Sequence, residues 1–311
     1  MPLPAAPIPA VPSPAAPVPA VTVSVVIPVK DDAERLAVCL RALRRQTVLP
    51  SEIVVVDNAS TDDSAAVAKA GGARVVRENR PGIPAAASAG YDAAHGDVIL
   101  RLDADTIPSP TWIEAAVTAL ARRPRVGAVT GGATFSGGPR WLRGVGAAVY
   151  LGAYYVALTP ALGHVPLFGS NFAMRREAWH TAAFAVHRRD PELHDDLDLA
   201  FHLGSRRRIR YAPGMVVQIS HRPMTDASSM VKRFRRGFRT VFVHWPHDLP
   251  WLRWARSVWG RLGHGTSKVP GAPGSLGSPG SRGSRGSPGS LGGVRPAGLV
   301  AVARPPARSR R

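Results

Sequence analysis

Between Val21 and Asp105 the chain repeats one pattern four times: a short run rich in β-branched residues, then a stretch with helical spacing. The runs are "VTVSVVIPV", "EIVVVDNAS", "ARVVREN" and "DVILRLDAD". They are short for helices, and three of them are apolar at consecutive positions, as strands covered on both faces must be. After the first, Asp31 and Asp32 offer an N-cap to a helix that carries Leu36, Cys39, Leu40 and Leu43 on one face. A second helix is expected from about Asp62 to Lys69, and an alanine-rich third in "GIPAAASAGYDAAHG", closed by Gly96. This alternation predicts the α/β class: a single Rossmann-like domain with a mostly parallel central sheet covered by helices. In such sheets ligands bind beyond the carboxyl ends of the strands. Asp57, after the second strand, and Asp103 with Asp105, after the fourth, fall there.

Further along, "PTWIEAAVTALARRP" predicts a helix ending at Pro124, and "VGAVTGG" a strand. Between Arg143 and Arg175 lies the longest uncharged run. It is long enough to span a bilayer, but its glycines, tyrosines and Pro160 make it weakly apolar, so a buried or interfacial helix is expected. "LFGSNFAMRREAW", "HDDLDLAFHLGSRRRIRYAPG" and a basic helix in "ASSMVKRFRRGFRTVFVHW" follow.

The net charge of +19 is unevenly distributed. Residues 206–311 hold 21 Lys and Arg against Asp226 and Asp248, whereas residues 1–205 hold 19 basic and 19 acidic groups. The excess therefore belongs to the C-terminal third, where it suits an anionic surface or a solvated tail. The expected organisation is a Pro/Ala-rich disordered tail over 1–21, a folded domain over 22–243, a Trp/Arg-rich helix over 244–263 and a low-complexity basic tail over 264–311. Residues 1–21 lack a basic leader and are broken by prolines, which argues against a signal peptide. Four of the seven tryptophans sit in "HWPHDLPWLRWARSVWGRL" beside Arg253, Arg256 and Arg261, a mixture suited to lipid headgroups or to docking on the domain. Cys39 is the single cysteine and lies in an apolar helical pattern, so it is expected to pack as a small hydrophobe, and nothing argues for an oxidising compartment.

Three clusters carry chemistry. Asp103 and Asp105 are two apart, and an extended backbone would project both to one side, a hard oxygen pair suited to Mg²⁺ or Mn²⁺; a solvated turn before Pro108 is the plainer reading. Asp57 can accept hydrogen bonds from a base or ribose, or close an Asx-turn before the next helix. Asp195, Asp196 and Asp198 open a helical pattern, where acidic groups are favoured by the helix dipole and where neighbouring carboxylates can raise one another's pKa toward that of a general base.

Taken in order, "VSVVIPVKDDAERLAVCLRALRRQT", "EIVVVDNASTDDS", "GDVILRLDADTIPSPTWI", "FGSNFAMRREAW" and "HDDLDLAFHL" resemble an inverting family 2 glycosyltransferase with a GT-A fold, over residues 22 to about 240. The resemblance implies transfer of a sugar from a nucleoside-diphosphate donor to an acceptor hydroxyl, with a divalent cation as cofactor. It implies that Asp57 and Pro28 contact the nucleotide, that Asp103 lies near the ribose or sugar, and that Asp105 binds the metal. Asp196 matches the catalytic base, with Asp195 where the family has glutamate; His221 would be a further metal ligand, and Arg235 and Arg236 would contact the diphosphate. Two positions depart from the family pattern: Ala87 and Ser88 stand where many relatives have Arg-Asn, and Lys30 where an aromatic or Asn is frequent. Expected partners are a nucleotide sugar, a glycan or lipid-linked acceptor and an anionic membrane surface, with no specific nucleic acid, at a cytoplasmic location on the inner face of the plasma membrane. The rivals are a haloacid-dehalogenase-like phosphohydrolase, which "LDADT" superficially matches although no lysine occurs between Lys69 and Lys232, and a degenerate transferase serving as a scaffold.

Overall fold

The computed structural model describes residues 21–136, 140–220, 227–245 and 248–255. Both terminal tails, residues 256–263 of the Trp/Arg helix and His221 lie outside them. The expected alternation is present: β1 (Val23–Val29), α1 (Ala33–Leu43), β2 (Glu52–Asp57), α2 (Ser64–Ala70), β3 (Arg74–Arg77), α3 (Ile83–Ala93) and β4 (Val98–Arg101). The second half runs β5 (Ile107–Pro108), α4 (Trp112–Ala121), β6 (Val126–Phe135), α5 (Arg140–Leu162), β7 (Phe172–Arg175), α6 (Arg176–Ala182), α7 (Asp195–Gly204), β8 (Arg208–Ile219) and α8 (Ala227–His244).

These strands form one sheet in the order β3-β2-β1-β4-β7-β6-β8-β5. β1 to β4 are mutually parallel; β7 then runs antiparallel between β4 and β6, and β5 antiparallel to β8. The sheet is thus parallel in its first half and mixed in its second. β1 shows why it sits at the centre: Val23, Val25, Ile27 and Val29 belong to the core under α1 and α4, and Val26 to the opposite core under α3, α6 and α7. The close approach of α3 needs Gly90, where a Cβ would lie 2.3 Å from Val26 Cγ1 and 2.8 Å from Val56 Cγ2.

Several local expectations change. α4 stops at Ala121 rather than Pro124, because the residue before a proline is pushed out of the helical region. α3 ends at Ala93, with extended Ala94 after it, three residues before Gly96. Asp32 occupies the N-cap of α1 but makes no side-chain cap; instead Asp62, in the loop after β2, accepts the Ala33 N–H at 3.0 Å. Asp31, at φ +51°, accepts from Thr61 N–H at 2.6 Å, so the loops after β1 and β2 are laced together by Asp31 and Asp62. The uncharged run forms α5, whose apolar part, Gly144–Leu162, is largely half-buried or exposed, with only Ala147, Leu151 and Leu162 buried, and is long and apolar enough to cross a membrane by length and composition. Tyr154 and Tyr155 nonetheless tie it to the domain through the carbonyls of Leu167 and Gly131, at 2.8 and 3.0 Å. After α8, Arg253 is buried and reaches the carbonyls of Leu162 (2.6 Å) and Phe201 (3.1 Å), and the Trp254 indole N–H donates to the Pro160 carbonyl at 3.0 Å, so this segment docks on the domain while Trp251 faces outward.

Candidate active site

Sheet register assembles the site. β7 pairs antiparallel with β4, Arg101 opposite Phe172. Two residues further in each direction, Asp103 and Ser170 face one another, and the Ser170 hydroxyl donates to Asp103 Oδ2 at 2.5 Å. The carboxyl end of β4 therefore meets the "FGSN" loop that leads into β7. The two aspartates after β4 do not share an extended backbone, as the spacing suggested. β4 stops at Arg101, and Asp103 to Thr106 form a turn closed by Thr106 N–H to the Asp103 carbonyl, 3.1 Å.

The N-terminus of α7 arrives at the same place. Arg101, an arginine in a strand whose other residues are apolar, is almost fully buried and donates through Nη2 to Asp103 Oδ1 at 3.0 Å and through Nη1 to Asp195. Asp196, the next residue, accepts Gly169 N–H at 2.7 Å through Oδ2 and its neighbour Leu197 N–H at 2.7 Å through Oδ1, with His194 Nδ1 3.4 Å from Oδ1. Gly169 allows a close approach here: a Cβ would lie 3.0 Å from Asp196 Oδ2, tighter than most such contacts, and 3.4 Å from Arg101 Nη1. The resulting cleft, about 280 Å³, is lined by Asp103, Asp195, Asp196, Tyr154, Ser170 and Arg236 among others.

The carboxylates differ in electrostatics. Burial, reinforced by Asp103 and Asp32 and only partly offset by Arg35, pushes Asp105 up to about 6. Burial and the adjacent Asp196 charge likewise push Asp195 up to about 6 against the pull of Arg101. For Asp196 burial acts in the same sense, but the His194 hydrogen bond and charge, Arg101 and the Gly169 N–H outweigh it and hold the carboxylate below its ordinary range. The arrangement thus offers an oriented, ionised Asp196, a more basic Asp195 beside it, and in Asp105 a partly buried carboxylate among like charges. That last environment favours a cation.

Residues 24–181 match the Glycosyl transferase family 2 pattern, half of the chain. The chain belongs to glycosyltransferase family 2. Among characterised relatives of this family, the glucosyl-3-phosphoglycerate synthase of Mycolicibacterium paratuberculosis is 33% identical over 189 residues, 53% of this chain and 56% of that one. A Haloferax volcanii glycosyltransferase is 32% identical over 106 residues, 32% of this chain and 35% of its own. The chain therefore matches between about a third and just over half of the length of these relatives. Its fold is shared with a mannosyltransferase from Pyrobaculum calidifontis, solved in complex with GDP-Man and Mn²⁺, at a TM-score of 0.54, 22% identity and coverage of 81% of this chain and 73% of that one. The fold is GT-A, and family membership replaces the phosphohydrolase alternative.

Within this family 2 domain the expected residues divide. Asp103, Asp195, Asp196 and Arg236 line one cleft. Asp105 sits in the turn after Asp103, beside Asp32 and Arg35. Asp57 is buried at the end of β2 in register with Val29, one residue beyond Pro28, and its Oδ1 accepts Ser60 N–H at 3.0 Å, the turn-closing role. Arg235 and Arg236 both pair with Glu192, at 2.5 and 3.1 Å, and Arg235 is the more exposed. Sequence reasoning missed Arg101, Gly169, Ser170 and His194. Arg101 alone carried a signal, since a charge inside a buried strand needs a partner.

Proposed function

We propose that the chain is a metal-dependent, inverting transferase that moves a sugar from a nucleoside-diphosphate donor to an acceptor hydroxyl. The observation that supports it most is the bridge through Arg101, which joins Asp103 after β4 to Asp195 at the start of α7, so that the two carboxylates proposed to serve donor and acceptor line one cleft. Asp105, with Asp103, fits a hard divalent cation: both offer oxygen donors, and Asp105 is destabilised as an isolated charge. His221 is assigned to the same cation by resemblance. When bound, the cation would offset the charge of the departing nucleoside diphosphate.

Asp57 and Pro28 would bound the nucleotide at the ends of β2 and β1, and Arg236, with Arg235 at the rim, would meet the diphosphate. Asp196, kept ionised and oriented by Gly169 N–H and His194, would take the acceptor hydroxyl's proton. The acceptor oxygen would then bond to C1 as the bond from C1 to the diphosphate oxygen breaks on the opposite face, inverting the anomeric centre. A panel of nucleotide sugars with Mn²⁺, scored by donor hydrolysis, thermal stabilisation and the anomeric configuration of the product, tests this. Asp196→Asn with full transfer, or a retained anomeric configuration, would refute it.

A lipid-linked or envelope glycan acceptor is proposed from α8. Val231, Phe234, Phe238 and Phe242, all exposed, fall within about 80° of arc on the side away from buried Thr240 and His244. Arg235 and Arg239 border that stripe, as suits an anionic membrane surface on the cytoplasmic side.

A further inference from the structure

On the face of α7 away from the cleft, three histidines converge on one carboxylate. Asp196 and Asp198 are about 200° apart around the helix, so Asp198 points elsewhere. Asp198 Oδ1 lies 2.7 Å from His187 Nδ1, 3.2 Å from His244 Nε2 and 3.5 Å from His202 Nε2, and the last two nitrogens are 3.4 Å from each other. All four donor atoms lie within 4.8 Å of one another. A tetrahedral ion with bonds of 2.0–2.1 Å needs donor-to-donor edges of about 3.3 Å. Three of the edges, 3.2, 3.4 and 3.5 Å, already match.

Proton accounting sharpens the point. His244 Nδ1 is 2.7 Å from the Thr240 carbonyl, a bond that requires its proton, so the neutral ring carries a lone pair at Nε2. That lone pair faces a carboxylate oxygen and a second imidazole nitrogen, an arrangement that is repulsive unless something positive lies between them. One proton serves two atoms of such a group; one tetrahedral cation serves all four. Supporting bonds are also in place: the Thr240 carbonyl fixes the His244 ring, and His187 N–H holds Asp198 Oδ2 at 2.7 Å. Asp198 is buried, while His187 is exposed and leaves a way in.

We propose that His187, Asp198, His202 and His244 form a structural metal centre for a Zn²⁺-class ion, separate from the catalytic cation. Three imidazoles and one carboxylate suit Zn²⁺, whereas Mg²⁺ and Mn²⁺ favour oxygen sets such as Asp103 and Asp105. Asp198 and His202, four apart, present two ligands on one helix face. His187 comes from the loop before α7 and His244 from the end of α8, so the ion clasps three segments behind the acidic end of α7. The inference does not depend on the catalytic reading.

The full chain, purified without a histidine tag, is tested with Zn²⁺ and Co²⁺. About one Zn²⁺ per chain is expected to survive gel filtration, Co²⁺ is expected to give the visible bands of tetrahedral coordination, and Zn²⁺ should raise Tm. His202→Gln and His187→Gln should each weaken Zn²⁺ binding by at least about tenfold, and Asp105→Asn should leave it unchanged. If His202→Gln fails to fold, exposed His187→Gln decides the matter. Failure of wild type to retain Zn²⁺ or respond to it in Tm, binding undiminished in both histidine variants, or loss of Zn²⁺ in Asp105→Asn would overturn the proposal.

Discussion

Arg101→Met removes a buried cation shared by two carboxylates of unequal exposure. The Asp103 side chain is 37% exposed, so its arm is worth at most about 1 kcal/mol. Asp195 is 14% exposed against a guanidinium at 2%, and truncating one partner of such a buried pair costs about 3–5 kcal/mol. The second arm dominates, and for a domain of this size the loss corresponds to a fall in Tm of roughly 6–20 °C. The deficit should depend on pH. Without Arg101, Asp195 loses the charge that opposes burial, and its folded pKa climbs above the value of about 6 that it has with the arginine present. A carboxyl raised in the folded state destabilises fully above that raised pKa and not at all below its unfolded value near 4. Wild type carries the same kind of penalty up to about 6, so the gap between wild type and Arg101→Met, measured by urea or thermal unfolding at fixed ionic strength, should narrow as pH falls from 8 toward about 6 and stay level below it. Arg101→Lys should recover part of the stability but little transfer, because a point charge cannot span both carboxylates. A deficit that does not vary with pH, or a Tm within about 2 °C of wild type, would refute the argument.

Asp105→Asn should abolish Mn²⁺-dependent stabilisation by nucleoside diphosphates yet leave the metal-free chain equally stable or more so, since it removes a charge that burial and Asp103 disfavour; differential scanning fluorimetry with and without Mn²⁺ and UDP or GDP separates the two. Asp196→Asn should retain donor binding in calorimetry and lose at least about a hundredfold in transfer rate. Glu52, although burial raises its pKa, accepts from Ser24, His95 N–H and Arg74 and is held down at about 2. Its contribution is full above the ordinary value of 4.5 and lost as pH falls through about 2, so the stability gap of Glu52→Gln to wild type should close over that window in acid titrations followed by circular dichroism. Replacing Phe234, Phe238 and Phe242 together by Ser should reduce flotation with anionic liposomes without lowering Tm, because all three are exposed; unchanged flotation would remove the membrane reading of α8.

What was legible in the chain follows from how its parts are buried. Parallel strands covered on both faces read as near-continuous apolar runs rich in β-branched residues, so β1, β2 and β4 stand out, and with them the carboxyl edge on which Asp57 and Asp103 lie. Caps and turns were less legible, because a side chain such as Asp62 satisfies the helix of another loop, and spacing along the chain cannot show a partner 29 residues away. The pairing of Asp103 with Ser170 depends on the antiparallel insertion of β7, which the preceding parallel strands gave no reason to expect. The histidines on Asp198 come from positions 187, 202 and 244 and share no local pattern.

Arg101 is the instructive case, since its signal was present and was carried by its neighbours' hydrophobicity. A guanidinium in the middle of "VILRLD" cannot be buried alone, and the acids that lie beyond the same strand end are its natural partners. The consequence reaches into function. Asp103, Asp195 and Asp196 can occupy one cleft as carboxylates only while a positive group stands among them, and in the folded domain Arg101 is the cation hydrogen-bonded to both Asp103 and Asp195. On the proposed reading, the geometry that would present Asp196 to an acceptor is thus maintained from the carboxyl end of β4, through an arginine in the sheet. A variant that loses Asp103 should leave Arg101 paired with Asp195 and the fold intact, whereas one that loses Arg101 should leave two acids in the cleft without the cation they share.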